Sequence, residues 1–170
     1  LMERGATIAV ITPEYSPPAV KADYWMPIRP QTDAALFLGI TRLMMDRRWY
    51  DEAFVKQFTD FPLLIRKDTL KRLRAAEVFP GYKPGLDPDG PSFKRHNLKL
   101  DQYEKLGDFV VFDRKTRKLQ AITRDQVGER LAQAGLDPEL RWRGKVKLID
   151  GREVECLTLW EAHRDHLRDY

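Results

Sequence analysis

The spacing of apolar positions changes several times along the chain, and each change predicts a different element. Ala6 to Ile11 is a short apolar run interrupted only by Thr7, the pattern of a strand buried in a parallel sheet. Pro17 and Pro18 stop any ladder, Ala19 to Asp23 suits a turn or so of helix, and Trp25 to Ile28 reads as a second short strand. From about Asp33 to Arg47 the period becomes helical, with Leu36, Ile40, Leu43 and Met44 on one face that is expected to turn inward. A further helix is predicted from Asp51, a suitable N-cap, carrying Phe54, Val55 and Phe58 inward.

Between Pro62 and about Asp108 the periodicity fades, and Pro80, Gly81, Pro84, Gly85, Pro88, Gly90 and Pro91 crowd together. This reads as a long ordered loop or insertion, of the kind that serves function or packs on a partner. Alternation returns at Phe109. Phe109 to Ile122 predicts two strands around a charged turn, and Lys145 to Leu159 predicts a stronger hairpin with Asp150-Gly151 at a type I′ turn. Thr158 and Glu161 have the spacing of a capping box ahead of a last helix.

Composition narrows the classes. With 42% hydrophobic, 11% aromatic and 33% charged residues the chain reads as globular, not disordered. Thirty basic side chains against twenty-six acidic ones leave a net charge of +4, spread along the sequence, so nucleic acid is not an expected partner. The single cysteine, Cys156, excludes an internal disulfide and any multi-cysteine metal site, and it falls where a small packed side chain is expected. No run approaches the length of a membrane helix. The chain opens on Leu1 and is almost at once in an apolar strand, which points to an upstream part.

Two polar segments stand at predicted strand ends, where open α/β sheets bind ligands. Thr12, Pro13, Glu14, Tyr15 and Ser16 follow the first strand; Gln31, Thr32 and Asp33 follow the second and open the long helix. An amide, a hydroxyl and a carboxylate at a helix N-terminus suit the base edge and sugar or phosphate of a nucleotide. A plain capping role for Thr32 or Asp33 fits the same residues. Elsewhere, His163 and His166 read as surface histidines, and Asp87, Asp89 and Gly90 as a turn despite their likeness to the start of a calcium loop. Lys71, Arg72 and Arg74 read as a solvated face that in a complex meets an electron-transfer subunit. The rival from another class is a free-standing basic module binding nucleic acid or an acidic protein.

The run from Lys21 to Ile40, KADYWMPIRPQTDAALFLGI, resembles the dimethyl sulfoxide reductase family of molybdenum enzymes, through Ala22, Asp23, Pro27, Ile28, Arg29, Pro30, Thr32, Asp33, Ala35 and Leu36. Gln31 stands where the family usually has glycine. Later segments, Trp49 to Thr69, Ala76 to Lys94, Gly107 to Gly128 and Gly144 to Tyr170, resemble the nitrate reductase and nitrite oxidoreductase branch. The resemblance implies an α/β fold: part of a Rossmann-like cofactor-binding domain of a molybdopterin oxidoreductase over residues 1–62, a loop-rich insertion over 63–108, and two β-hairpins with a C-terminal helix over 109–170. It implies that Thr12 to Ser16 and Gln31 to Asp33 bind a guanine nucleotide arm of molybdenum bis(molybdopterin guanine dinucleotide), with no catalytic or metal-ligating residue in this stretch. It further implies a much longer catalytic subunit that oxidises nitrite to nitrate, with an iron–sulfur cluster in its N-terminal part. Nitrate or another oxyanion as the species reduced is the alternative. The partners implied are an iron–sulfur β subunit and a haem or membrane-anchoring subunit, in the periplasm or on the cytoplasmic face.

Overall fold

The computed structural model describes residues 4–84, 87, 89–96, 99, 101–102 and 107–169. The chain divides into two units, one formed by Leu1–Arg48 with Leu167–Tyr170 and the other by Trp49–His166.

In the first unit, strands β1 (Ala9–Ile11) and β2 (Tyr24–Met26) pair in parallel, Ala9 opposite Tyr24 and Ile11 opposite Met26. Parallel strands need a crossover of about a dozen residues. Here it holds helix α1 (Pro17–Val20), whose two prolines occupy the first helical positions. The helix therefore starts before the expected Ala19, because the first amides of a helix have no internal partner and lose nothing to proline. Asp23 fixes the register: its carboxylate accepts the Ile8 N–H at 2.7 Å, while the N–H groups of Asp23 and Tyr24 reach the Ile8 carbonyl at 2.9 and 3.1 Å. Pro27 then ends β2 earlier than expected, since it has no amide to donate.

Helix α2 (Asp33–Arg47) has the bounds its pattern predicts and ends on Arg48, whose backbone is left-handed and whose N–H returns to the Met44 carbonyl. Its expected inward face is a correction. Of the four, Leu36 is half-buried while Ile40, Leu43 and Met44 are 38% to 43% exposed, and Met45 is the buried residue. A parallel pair of three-residue strands offers too little surface to cover four helical turns. The sheet is likewise smaller than a Rossmann-like one, and all of β2 is exposed.

The chain enters α2 through a tight turn. The Thr32 N–H donates to the Arg29 carbonyl at 3.1 Å, Pro30 occupies the second position, and Gln31 in the third has φ +69°. A proline followed by a positive φ is the type II pattern, which favours glycine at that third position. Gln31 adopts the left-handed backbone despite its Cβ.

The second unit is built on a three-stranded antiparallel sheet, ordered β3 (Leu64–Arg66), β7 (Glu153–Thr158), β6 (Arg143–Lys147), beside a hairpin of β4 (Phe109–Asp113) and β5 (Lys118–Ile122). Leu64, Leu73, Ala75, Val110, Val146, Val154 and Cys156 form the core, and Leu63, Val111, Ile122 and Leu131 a second cluster. Both hairpins appear where alternation predicts them. The second turn differs: the Gly151 N–H bonds the Leu148 carbonyl, Gly151 has φ +88°, and Asp150 keeps a negative φ. A type I′ turn needs positive φ at two residues, so the loop is a three-residue turn ending in a glycine bulge. β3, with buried Leu64 and Ile65, lies in the stretch expected to be irregular. That stretch also holds the short helices α4 (Ala75–Val78) and α5 (Pro91–His96).

Helix α3 (Glu52–Phe58) starts as expected, with the Asp51 carboxylate accepting the Phe54 N–H at 3.0 Å. Of the three residues expected inside, only Val55 is half-buried. Phe54 and Phe58 are exposed with rings 5.2 Å apart, while Lys56 is buried, its ammonium 2.8 Å from both Glu52 and Asp137. Paired in this way, the charge goes inside with its aliphatic stem. Beyond α6 (Glu129–Gln133), helix α7 (Leu159–His166) closes the unit. Thr158 Oγ accepts the Glu161 N–H at 3.3 Å, the expected cap. The reciprocal arm of the box is absent, because the Glu161 carboxylate takes Arg143 at 2.7 Å and the Thr158 N–H goes to the Trp142 carbonyl.

Two predictions follow from these contacts. Replacing Gln31 by glycine relieves the left-handed backbone and raises stability by about 0.5–1 kcal/mol, read as a higher urea midpoint; a lower midpoint would contradict this account of the turn. At Asp137, burial alone would raise the carboxyl pKa, but the hydrogen bond and charge of Lys56, with Arg114, hold it below the ordinary 3.8. Since folding lowers this pKa, the stabilisation is full above 3.8 and disappears as pH falls through the lower folded value. Asp137→Asn costs about 1–3 kcal/mol at neutral pH and less at strongly acid pH, measured as urea midpoints at the two pH values.

Candidate functional site

Because β1 and β2 run parallel, both leave the sheet at one edge, and the two polar segments begin there. Thr12 extends the ladder: its N–H reaches the Met26 carbonyl at 3.3 Å and its own carbonyl accepts the Trp25 indole N–H at 3.1 Å. Pro13, Glu14 and Tyr15 are exposed, the Tyr15 ring meeting Trp25 edge-on at 5.0 Å. Ser16 then turns the chain into α1. Its carbonyl accepts the Ala19 and Val20 N–H groups, and its hydroxyl makes no cap bond. This loop is thus held by backbone bonds and by Trp25, and none of its side-chain oxygens is hydrogen-bonded among the described residues.

The second segment has a comparable division of labour. Thr32 occupies the N-cap position of α2, yet its hydroxyl donates to the Arg29 carbonyl at 2.7 Å and makes no capping bond. Thr32 therefore closes the turn. Asp33 is the first residue of α2 and is exposed, a carboxylate beside the positive end of the helix dipole. The Gln31 amide is exposed next to it. Together Gln31 and Asp33 present an amide that both donates and accepts, and a carboxylate with two acceptor oxygens. That donor set fits a guanine base edge, whose adjacent N–H groups a carboxylate can accept from together. Asp23 and Trp25, which position the first segment, were not singled out by strand-end reasoning; Asp23 immediately precedes β2 and Trp25 is its middle residue.

The other candidates have structural explanations. The Asp87 carboxylate takes the Asp89 N–H at 2.9 Å and Arg130 at 2.5 Å, and Asp89 pairs with Lys94 at 2.9 Å, so these acids bind cations of their own chain. His163 packs 5.6 Å from the Phe61 ring; burial, then the neighbouring His166, pushes its imidazole below its ordinary value. No cluster of three metal-ligating side chains occurs among the described residues. Cys156 is buried, and burial pushes its thiol up to about 11. Among the described residues no helix is long and apolar enough to cross a membrane.

No family model matches the chain. Individual proteins do. It is 32% identical over 161 residues to the respiratory nitrate reductase subunit alpha of Haloferax mediterranei, covering 92% of this chain and 15% of that one. It is 28% identical over 169 residues to the perchlorate reductase subunit alpha of Dechloromonas aromatica, covering 96% of this chain and 18% of that one. Over 77 residues it is 35% identical to the dimethylsulfide dehydrogenase subunit alpha of Rhodovulum sulfidophilum, covering 45% of this chain and 8% of that one. The chain thus spans less than a fifth of the length of these relatives. Its mixed α/β architecture of small sheets is compatible with a domain fragment of such an enzyme. The homologues of this chain are catalytic alpha subunits of molybdopterin oxidoreductases, the dimethyl sulfoxide reductase family.

Proposed function

We propose that this chain is a segment of the catalytic subunit of a molybdenum oxidoreductase working on the nitrite/nitrate couple, and that it holds the guanine nucleotide arm of the cofactor. The observation that carries the reading is the exposed Asp33 carboxylate at the start of α2, on the same side of the parallel pair as the Thr12 to Ser16 loop. Asp33 accepts from the guanine N–H groups, the Gln31 amide completes the base edge, and the hydroxyls and amides of Thr12 to Ser16 face sugar and phosphate. Thr32, tied to Arg29, keeps Asp33 at the turn. When bound, molybdenum bis(molybdopterin guanine dinucleotide) supplies the two-electron exchange of oxygen between nitrite, water and nitrate. None of this chain's residues takes part in that step.

The full subunit carries an iron–sulfur cluster in its N-terminal part and works with an iron–sulfur β subunit and a haem or membrane-anchoring subunit, in the periplasm. Oxidation of nitrite is the direction that the later segments resemble. A second reading, reduction of nitrate or a related oxyanion, is supported by the relatives named nitrate reductase and perchlorate reductase. Assaying the intact complex with nitrite and an oxidised dye, and with nitrate and a reduced dye, separates the two.

Asp33→Ala in the intact protein removes a charge-assisted bond worth about 1.5–3 kcal/mol, roughly 10- to 150-fold in affinity. The purified variant is expected to lose molybdenum and the guanine nucleotide released on acid hydrolysis in parallel. Wild-type content of both would overturn the assignment of Asp33.

A further inference from the structure

Five cationic side chains, Arg66, Lys71, Arg72, Arg74 and Arg124, line an open groove of about 590 Å³ on the second unit, against one carboxylate, Glu77. Asp68 and Asp60, which pair with Arg66 and Arg72 beside the groove, reduce the local surplus to two positive charges. The concentration has a local cause. Leu73 is fully buried and is flanked by two isolated bridges, Ile65 with Arg72 and Arg74 with Phe109. An extended backbone alternates its side chains, so anchoring Leu73 inside sends Arg72 and Arg74 out together. The guanidinium carbons of Arg72 and Arg124 lie over the Phe109 ring, 5.6 and 4.9 Å from its centre. Arg66 is held by Asp68 and Glu77, both at 2.7 Å, and Arg72 pairs with Asp60. The Lys71 ammonium makes no ion pair among the described residues and is exposed.

We propose that this groove receives a carboxylate-rich segment of a protein partner. Three features favour an extended acidic peptide. The arginines already bind carboxylates of their own chain, so their spacing and planar forks suit that group. A compact phosphate is usually held by backbone N–H groups at a helix or loop terminus. Here the amide that opens α4, the Arg74 N–H, is taken by the Glu77 carboxylate at 2.9 Å, leaving side-chain donors spread along the surface. The groove also continues into a hollow of about 140 Å³ that shares Arg72, Phe109 and Arg124 with it, giving a path for a chain. The partner's aspartates and glutamates replace water around Lys71 and bridge the outward arginines, with the aliphatic part of the segment on Phe109.

The test is fluorescence anisotropy of labelled hexaglutamate with the intact protein at low salt. Saturable binding is expected, weakening with added salt. Lys71→Glu should weaken it about fivefold, whereas Lys145→Glu, an exposed cation of β6 outside the groove, should leave it unchanged. Lys71 is exposed and makes no ion pair among the described residues, so the variant keeps the fold; unchanged urea midpoints verify this. Absence of binding overturns the proposal, as does equal loss in both variants, which means diffuse charge attraction. Displacement of hexaglutamate by inorganic pyrophosphate or a short oligonucleotide at lower concentration overturns the carboxylate assignment in favour of a phosphate ligand.

Discussion

The parallel pairing of β1 and β2 is the constraint on which the candidate site depends. Were the two strands antiparallel, the segments after Ile11 and Met26 would leave from opposite edges and could not serve one ligand. Pairing of two three-residue strands is weak by itself, and Asp23 supplements it with a side-chain bond to the Ile8 amide. The rigid elements then do little chemistry. Trp25, Arg29 and the α2 N-terminus hold the loops, and the groups left over after that holding, chiefly Gln31 and Asp33, are those on which the proposed nucleotide contact rests.

Several parts of this were legible in the sequence because they depend on neighbours close in the chain. The limits of α2, the Asp51 cap and the two hairpins are local events, set by residues within a few positions of one another. What failed depends on distant partners. β3 is only Leu64 to Arg66, too short to display a period, and its partner Leu157 lies far down the chain opposite Ile65. Lys56 of α3 is inside in place of Phe54 and Phe58 because it finds Asp137, an ion pair no local pattern announces. The apolar stripe of α2 is helical as expected; which residues bury was the error, since the unit provides little to pack against it.

The candidate site was readable as position more than as geometry. Strand-end logic and the family resemblance both selected Thr12 to Ser16 and Gln31 to Asp33. Neither disclosed that Thr32 serves the turn while Asp33 remains exposed. The glycine of the family pattern gains a physical reason from the left-handed backbone that Gln31 adopts. The ionic features of the second unit belong to a different kind of problem. Their sequence signal, Lys71, Arg72 and Arg74, looks like an ordinary charged surface until burial of Leu73 and the bridge to Phe109 gather them around one groove.

The buried state of Cys156 has a practical corollary. It is the chain's sole thiol, sits on the central strand β7, and is kept protonated at neutral pH by its surroundings. A maleimide or nitroxide reagent needs an accessible thiolate. The chain itself is therefore a silent background for site-directed labelling, and a cysteine introduced on either loop edge would report on that edge without first removing a core residue.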